Sequence, residues 1–399
     1  MRKSWLLWCT AAMVVCEFSA GRGEAQAKGH DKAVIGYIFA DRGEMLDPVA
    51  IAVEKLTRIN YAFFRVHNGL IAERGKFDTD NLAVLTGLKR RNHQLQVVVS
   101  VGGGDGGSAG FSDMALTVEG RKKFVDSAVA IVEKYNVDGI DVDWEYPGYS
   151  NTGTAARPED KDNYTALLKE MRLRFDALGR KLHRHLFTSS ATGATQIWLD
   201  HTDMREASKW LDSVNMMCYD WYFPVDKNTG HDSPLYTNPA DPKAISINNA
   251  VTMYLAAGVS KKKLVIGVPF YGKKWTGVEP GTTHGLWQPI ANETSGTYLS
   301  YWRIQQLVNA SGFARYWDAM AQAPYLYNAA TKTFITYNDA ETELSRVKYV
   351  KARKLQGIMF WQYTDDPNNV LLDAIDEGFG WPSFPDVRPQ GSEQAHGSE

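Results

Sequence analysis

Cysteine is scarce in this sequence: there are three in 399 residues, and two of them, Cys9 and Cys16, fall in an N-terminal segment with the layout of a leader. Once that leader is removed only Cys218 is left, so a disulfide framework is excluded and stability has to come from a packed core. A surplus of charge is lacking as well. With 44 basic against 46 acidic residues there is no basic field to hold nucleic acid or anionic lipid, and neither is expected as a partner. Long apolar runs are also missing: the stretch from Trp5 to about Val15 is too short for a comfortable membrane span. It follows Met1-Arg2-Lys3 and precedes the small-x-small site Ala25-Gln26-Ala27, the arrangement of a secretory signal peptide over residues 1–27. The expectation is a secreted protein, extracellular or periplasmic, monomeric and without membrane attachment.

What is present is alternation of short apolar runs with helical patterns, the mark of a parallel sheet covered by helices. Strands are expected at Val34–Phe39, Arg58–Phe64, Gln96–Val101, Gly139–Trp144, Leu186–Ala191, Ser213–Tyr219, Leu264–Pro269 and Gly357–Trp361, with amphipathic helices near 78–91, 117–135, 159–178, 245–257 and 341–354. Eight strands with interleaved helices predict a (β/α)8 barrel of the α/β class, occupying 28–271 and 339–382. The connection 272–338 is too long for a loop and rich in aromatics, so it reads as a small α+β insertion domain between the seventh and eighth strands. The polar stretch 383–399 reads as a disordered tail.

The informative segment is Asp138-Gly139-Ile140-Asp141-Val142-Asp143-Trp144-Glu145. Alternate strand residues share a face, so Asp141, Asp143 and Glu145 point one way and Val142 and Trp144 the other. Successive acids on that face are about 6.6 Å apart along the strand. Three ionised carboxylates there repel, and at least one should keep a proton near neutral pH, the condition that glycosidic cleavage asks of a general acid. Asp138 has the wrong parity and is expected to act as a structural hydrogen-bonding residue.

The spacing Asp138-x-x-Asp141-x-Asp143-x-Glu145 resembles the signature of glycoside hydrolase family 18, the chitinases and their relatives. Further segments resemble strand motifs of that family: Ser100-Val101-Gly102-Gly103, Met217-Cys218-Tyr219-Asp220, Gly267-Val268-Pro269-Phe270-Tyr271-Gly272 and Gly357-Ile358-Met359-Phe360-Trp361. The resemblance implies hydrolysis of β-1,4-linked N-acetylglucosamine in chitin and chitooligosaccharides, with no cofactor and no metal. Glu145 is then the general acid, while Asp143 and Tyr219 orient the acetamido group of the substrate, whose own oxygen attacks C1. Asp141 shares a proton with Asp143.

The same resemblance makes Trp361 a floor under the reacting sugar and Met217 an apolar wall. Asp220, Tyr271 and Trp144 become sugar contacts, Tyr37 and Ser100 supports of Asp141, and Gly102 and Gly103 parts of the structural motif. Asn338 stands where many relatives carry Asp, and Gln362 where Glu is frequent. Trp221, Trp275 and Trp287 are candidates for flanking sugar contacts, with burial in the insertion as the alternative. Two other readings stay open: a non-catalytic chitin-binding lectin on the same fold, and an endo-β-N-acetylglucosaminidase acting on N-linked glycans.

Overall fold

Runs of β-branched and aliphatic residues pair edge to edge into a closed parallel barrel in the computed structural model, which describes residues 31–40, 43–150, 153–290, 296–308, 310 and 312–381. The expected leader and polar tail lie outside the described residues. In chain order the strands are β1 (Ala33–Phe39), β2 (Arg58–His67), β3 (Leu70–Ala72), β4 (Gln96–Gly102), β5 (Gly139–Asp143), β6 (Phe187–Gly193), β7 (Ser213–Met217) and β8 (Leu264–Pro269). Then come β9 (Tyr271–Trp275), β10 (Thr297–Ser300), β11 (Ala314–Asp318), β12 (Ala323–Asn328), β13 (Thr333–Thr336) and β14 (Gly357–Trp361). The barrel runs β1-β2-β4-β5-β6-β7-β8-β14 and closes from β14 back onto β1, every pair parallel.

Alternation along these strands sorts side chains into two environments. Ile59, Val97, Val99, Ile140, Val142, Val214, Ile266 and Val268 are fully buried in one core with Phe124, Leu167, Met171 and Phe175 of the surrounding helices. Each such side chain contributes about 1.5–3 kcal/mol to the fold. The opposite parity faces the barrel axis and is largely polar: Asn60, Ser100, Asp141, Ser189 and Asn215 are all buried.

Helix ends follow local chemistry. Thr117 accepts a hydrogen bond from Gly120 N–H and starts Val118–Tyr135, which Asn136 ends in the left-handed region. Asp339 and Thr342 form a capping box for Ala340–Arg353. Behind that helix, Asn338 uses both ends of its amide: Nδ2 donates to Pro269 O at 2.9 Å and Oδ1 accepts from the buried Arg346 at 2.9 Å. A carboxylate at 338 would lack the donor for Pro269.

The insertion is a five-stranded sheet, β10-β9-β13-β12-β11, antiparallel throughout, with the helix Tyr301–Val308. Its core joins Trp275, Leu286, Tyr327 and Phe334 with Tyr222 from the segment after β7. Three of the differences from the sequence expectation have a visible local cause. Strand β2 runs on to His67 because Asn68 and Gly69, both at positive φ, turn it into a hairpin with β3. Strand β7 stops at Met217, where Cys218 N–H turns back to Met216 O and Asp220 takes φ 59°. The helix Val370–Phe379 was not anticipated; Asp366, four residues upstream of its start, accepts from the N–H groups of Val370, Leu371 and Leu372.

Cys218 is fully buried and unpaired, and burial pushes its thiol up to about 12. Iodoacetamide at pH 8 should therefore leave Cys218 unlabelled in the folded chain and label it once urea unfolds the protein, as read by peptide mass spectrometry. Prompt labelling in the native state would contradict this burial.

Candidate active site

The C-terminal ends of the barrel strands gather the acids. Asp141 lies deepest and is satisfied on both oxygens: Oδ1 accepts from Ser189 Oγ at 2.6 Å and Asn215 Nδ2 at 3.2 Å, Oδ2 from Ser100 Oγ at 2.8 Å and Tyr37 OH at 2.9 Å. Burial pushes its carboxyl up, against the pull of those hydroxyl donors and the Arg58 charge. Asp143, one step nearer the mouth, has no such ring of donors. Its Oδ1 is buried without a hydrogen-bond partner, and burial, then the charges of Glu145 and Asp141, push its carboxyl well above the ordinary range.

Glu145 stands at the rim, half-buried. Burial is the main force raising its carboxyl to about 7; the Asp220 and Asp105 charges add to it, while hydrogen bonds from the Tyr146 hydroxyl and the Asp143 carboxyl oppose it. Glu145 thus acts on the Asp143 carboxyl more strongly than Asp141 does. The reason is local: Asp141 is already saturated by hydroxyl and amide donors.

The main chain that carries these acids is fixed by the loop after β4. Gly102, at φ 118°, passes so close that a Cβ would stand 2.0 Å from Asp143 O, and a Cβ on Gly103, at φ 90°, would enter the Phe63 ring. Gly103 N–H donates to Asp143 O at 2.8 Å. Ser108, buried, accepts from Glu145 N–H at 2.7 Å while its hydroxyl reaches Asp143 O at 2.9 Å and Gly103 O at 3.0 Å. Only glycine tolerates this approach, which accounts for Gly102 and Gly103.

Trp361, half-buried at the end of β14, spreads across the mouth, stacked on Phe63 at 5.4 Å and leaning on Phe39 at 5.5 Å and Tyr37 at 5.9 Å. Met217 and Tyr219 pack with it. The Tyr219 hydroxyl is held well above its ordinary range by burial and then by Asp143, so it remains an O–H donor. Its ring meets Tyr271 edge-on at 6.2 Å. Tyr271 OH and Lys273 Nζ each hold Asp220 Oδ1 at 2.7 Å, and Lys273 also pairs with the buried Asp232.

Several expected residues lie elsewhere. Trp144 is not a sugar contact: it is 2% exposed in the layer between barrel and helices, stacked on Phe111 at 5.3 Å, as its strand parity requires. Trp275 is buried in the insertion core and Trp221 against the barrel shell, which leaves neither as a flanking contact; Trp287 is half-buried with its indole N–H shielded. Asp138 sits at the other end of β5, accepting from Val97 N–H at 2.7 Å and pairing with Lys89 and Arg184. Ser108, Ser189, Asn215, Lys273 and Asp232 were not anticipated. Strand parity alone marks Ser189 and Asn215 as inward-facing; nothing in the sequence tells which acid they serve.

A family model described as glycosyl hydrolases family 18 matches residues 33–366. The chain is 36% identical over 314 residues to Chitinase A1 of Niallia circulans, covering 74% of this chain and 44% of that protein, so it spans less than half the length of that relative. It is 30% identical over 391 residues to Probable chitinase 2 of Drosophila melanogaster, covering 90% and 77%. Among solved structures, a glycoside hydrolase family 18 N-acetylglucosaminidase from Paenibacillus barengoltzii superposes with a TM-score of 0.80 at 39% identity, over 87% of this chain and 99% of that one.

The raised Glu145 carboxyl has a cost in stability. The ordinary value is 4.5 and the folded value about 7, so folding takes up a proton between these limits. Below 4.5 the carboxyl is neutral in both states and costs nothing. As pH climbs through 7 the fold must hold an anion it disfavours. Glu145→Gln should therefore raise the Tm at pH 8 and leave it nearly unchanged at pH 4, as scanning calorimetry would record; an equal shift at both pH values would refute the assignment.

Proposed function

The chain belongs to the glycosyl hydrolases of family 18, and from that premise we propose that it hydrolyses β-1,4 linkages between N-acetylglucosamine units of chitin and chitooligosaccharides, with retention and with Glu145 as general acid and then base. One observation carries the mechanism: Asp143 offers a buried, unpartnered oxygen beside a glutamate whose carboxyl sits near 7. Before substrate binds, one proton serves both groups. When a substrate acetamido N–H reaches Asp143 Oδ1, Asp143 is better ionised, the proton passes to Glu145, and the acid is charged by the arrival of its substrate. Glu145 then protonates the leaving oxygen.

The nucleophile is the acetamido oxygen of the substrate, giving an oxazolinium ion whose positive charge Asp143 faces. Substrate assistance of this kind is the known exception that family 18 makes to the two-carboxylate scheme. Asp220, a carboxylate acting on the acid, has its Oδ1 tied to Tyr271 and Lys273, which favours attack by the substrate's own group. Tyr219, kept as a donor, points the acetamido oxygen at C1. Trp361 lies beneath the ring, Met217 bounds it, and fixed groups aimed at a developing cation supply most of the rate.

The presence of Glu145 with a raised carboxyl speaks against a lectin. Release of single N-acetylglucosamine units from chain ends is a second reading, favoured by the likeness to the Paenibacillus barengoltzii protein. Products from a hexamer, with a glycoprotein assayed alongside, separate these actions from endo cleavage of N-linked glycans. The leader-like N-terminus supports export to the extracellular space or periplasm, and among the described residues no helix is long and apolar enough to cross a membrane. We propose a monomer acting alone on its polysaccharide.

Glu145→Gln should lower turnover roughly a hundred- to ten-thousand-fold while oligomer binding survives, because shape and acetamido contacts remain. Near-normal turnover would remove Glu145 from its role. The nucleophile has its own test: partly deacetylated oligomers, digested and sequenced by mass spectrometry, should show acetylated sugars almost exclusively at new reducing ends. Frequent glucosamine there would end the substrate-assisted mechanism, since that unit lacks the attacking group.

A further inference from the structure

Five cationic side chains are buried among the described residues, and four of them meet a carboxylate directly: Arg121 meets Glu170, Arg172 meets Asp176 and Asp212, Lys273 meets Asp220 and Asp232, and Arg346 meets Glu343. The fifth, Arg58, is 3% exposed and makes no ion pair. Neutral groups hold its guanidinium: Gln96 Oε1 at 2.9 Å, Ser213 Oγ at 3.0 Å and the Phe187 ring at 4.6 Å. We propose that Arg58 is a positioning residue of the hydrolytic site: from the base of the barrel its charge holds Asp141 as an anion, and that anion keeps the exchangeable proton of the acids at the level of Asp143 and Glu145. The proposal deepens the hydrolase reading and rests on it.

The placement is geometric first. Arg58 opens β2 and Ser213 opens β7, which stand on opposite walls of the barrel, so the side chain reaches across the barrel axis. Ser213 is in register with Ser189, and Ser189 with Asp141, to which its hydroxyl donates at 2.6 Å. The guanidinium therefore ends beside the neighbour of a serine that serves the acid. The next inward residue of β2 is Asn60, an uncharged amide whose two ends lack hydrogen-bond partners, so β2 places no second charge between Arg58 and Asp141.

The groups around the guanidinium single out Asp141 as its counter-charge. Two other carboxylates face Arg58, and both have cations of their own: Asp138 pairs with Lys89 and Arg184, and Asp212 with Arg172. Tyr37, which also faces it, is held as a neutral hydroxyl by burial. Asp141 has four donors, all uncharged. Tyr37 OH accepts from Asn215 Nδ2 at 3.3 Å, which commits its own hydrogen to Asp141 Oδ2, and donors on both oxygens favour the ionised carboxyl. Asp141 is faced by Arg58 from below, by Asp143 from above, and by the hydroxyls of Tyr37 and Tyr164. Burial weighs against the charge on Arg58 and on Asp141 alike, and each favours the charged state of the other; little water lies along the axis to screen them. Asp143 is raised by burial, then by Glu145 and Asp141, so loss of Arg58 would let the proton sink to Asp141, away from the substrate.

The test combines the pH profile of kcat/KM on the N-acetylglucosamine hexamer with Tm from calorimetry, for the wild type, Arg58→Met, Arg58→Lys, Asp141→Asn and the Arg58→Met/Asp141→Asn double variant. Without the cation Asp141 takes its proton at higher pH, so Arg58→Met should move the acid limb of the profile upward by about half a pH unit or more. Arg58→Lys, which keeps the charge, should return most of that shift. A merely structural arginine would lower Tm and total activity with the limb in place, and that outcome would overturn the proposal. The Tm cycle reads the same coupling without activity: each single variant strands one buried charge, so the double variant should lose clearly less than the sum of the two single losses. If Arg58→Met alone does not fold, the double variant should fold, and its failure would overturn the proposal. A wild type inert on the hexamer would overturn the hydrolase reading and the positioning role together; additive Tm losses in an enzyme that cleaves the hexamer would overturn the positioning role alone.

Discussion

Like charges crowded on one face of a buried strand govern this structure. Asp141 and Asp143 come from one short strand and Glu145 from just beyond its end, with little room to spread, and the barrel axis is poorly solvated. Three anions in that setting would repel with no water to screen them, so the fold must supply either counter-dipoles or protons. It supplies both, to different members. Asp141 receives four hydrogen-bond donors, while Asp143 and Glu145, nearer the mouth, are left with carboxyls that burial raises toward the protonated form.

That division explains why so many inward positions are polar where a barrel of this kind usually packs aliphatic side chains. Ser100, Ser189, Asn215 and Tyr37 are there for Asp141, and each forfeits apolar burial to be so. The glycine turn after β4 does the complementary work on the main chain. With Gly102 pressed against Asp143 O and Ser108 bonded to Glu145 N–H, the backbone of both acids is held by contacts that leave their side chains free toward the cleft.

How far the sequence could be read follows from which physical signal each feature leaves. Strand positions were legible to within three residues because β-branched runs bounded by turn residues are a local signal, and parity correctly set Asp141 and Asp143 against Val142 and Trp144. Placing Trp144 among the sugar contacts ignored that same parity. Partnership was not legible: Ser189 and Asn215 carry no mark of the acid they serve, because the contact is made across strands distant in sequence. The helix Val370–Phe379 escaped because Asp366 caps it from four residues upstream, outside the usual cap position.

The seam between insertion and barrel bears most directly on the acid. Lys273 comes from β9, Asp220 and Asp232 from the segment after β7, and the cation is enclosed between them. Burial raises Asp232 to about 6 in spite of the lysine beside it, a sign that desolvation outweighs pairing there. A buried pair of this kind adds little net stability, but removal of one partner leaves a stranded charge costing about 3–5 kcal/mol. The arrangement therefore holds register more than it holds energy: it keeps β9 against the barrel with Asp220 facing the acid. Because the Asp220 charge helps raise Glu145, Tyr271 and Lys273 of β9 fix the position of a carboxylate that acts on the acid.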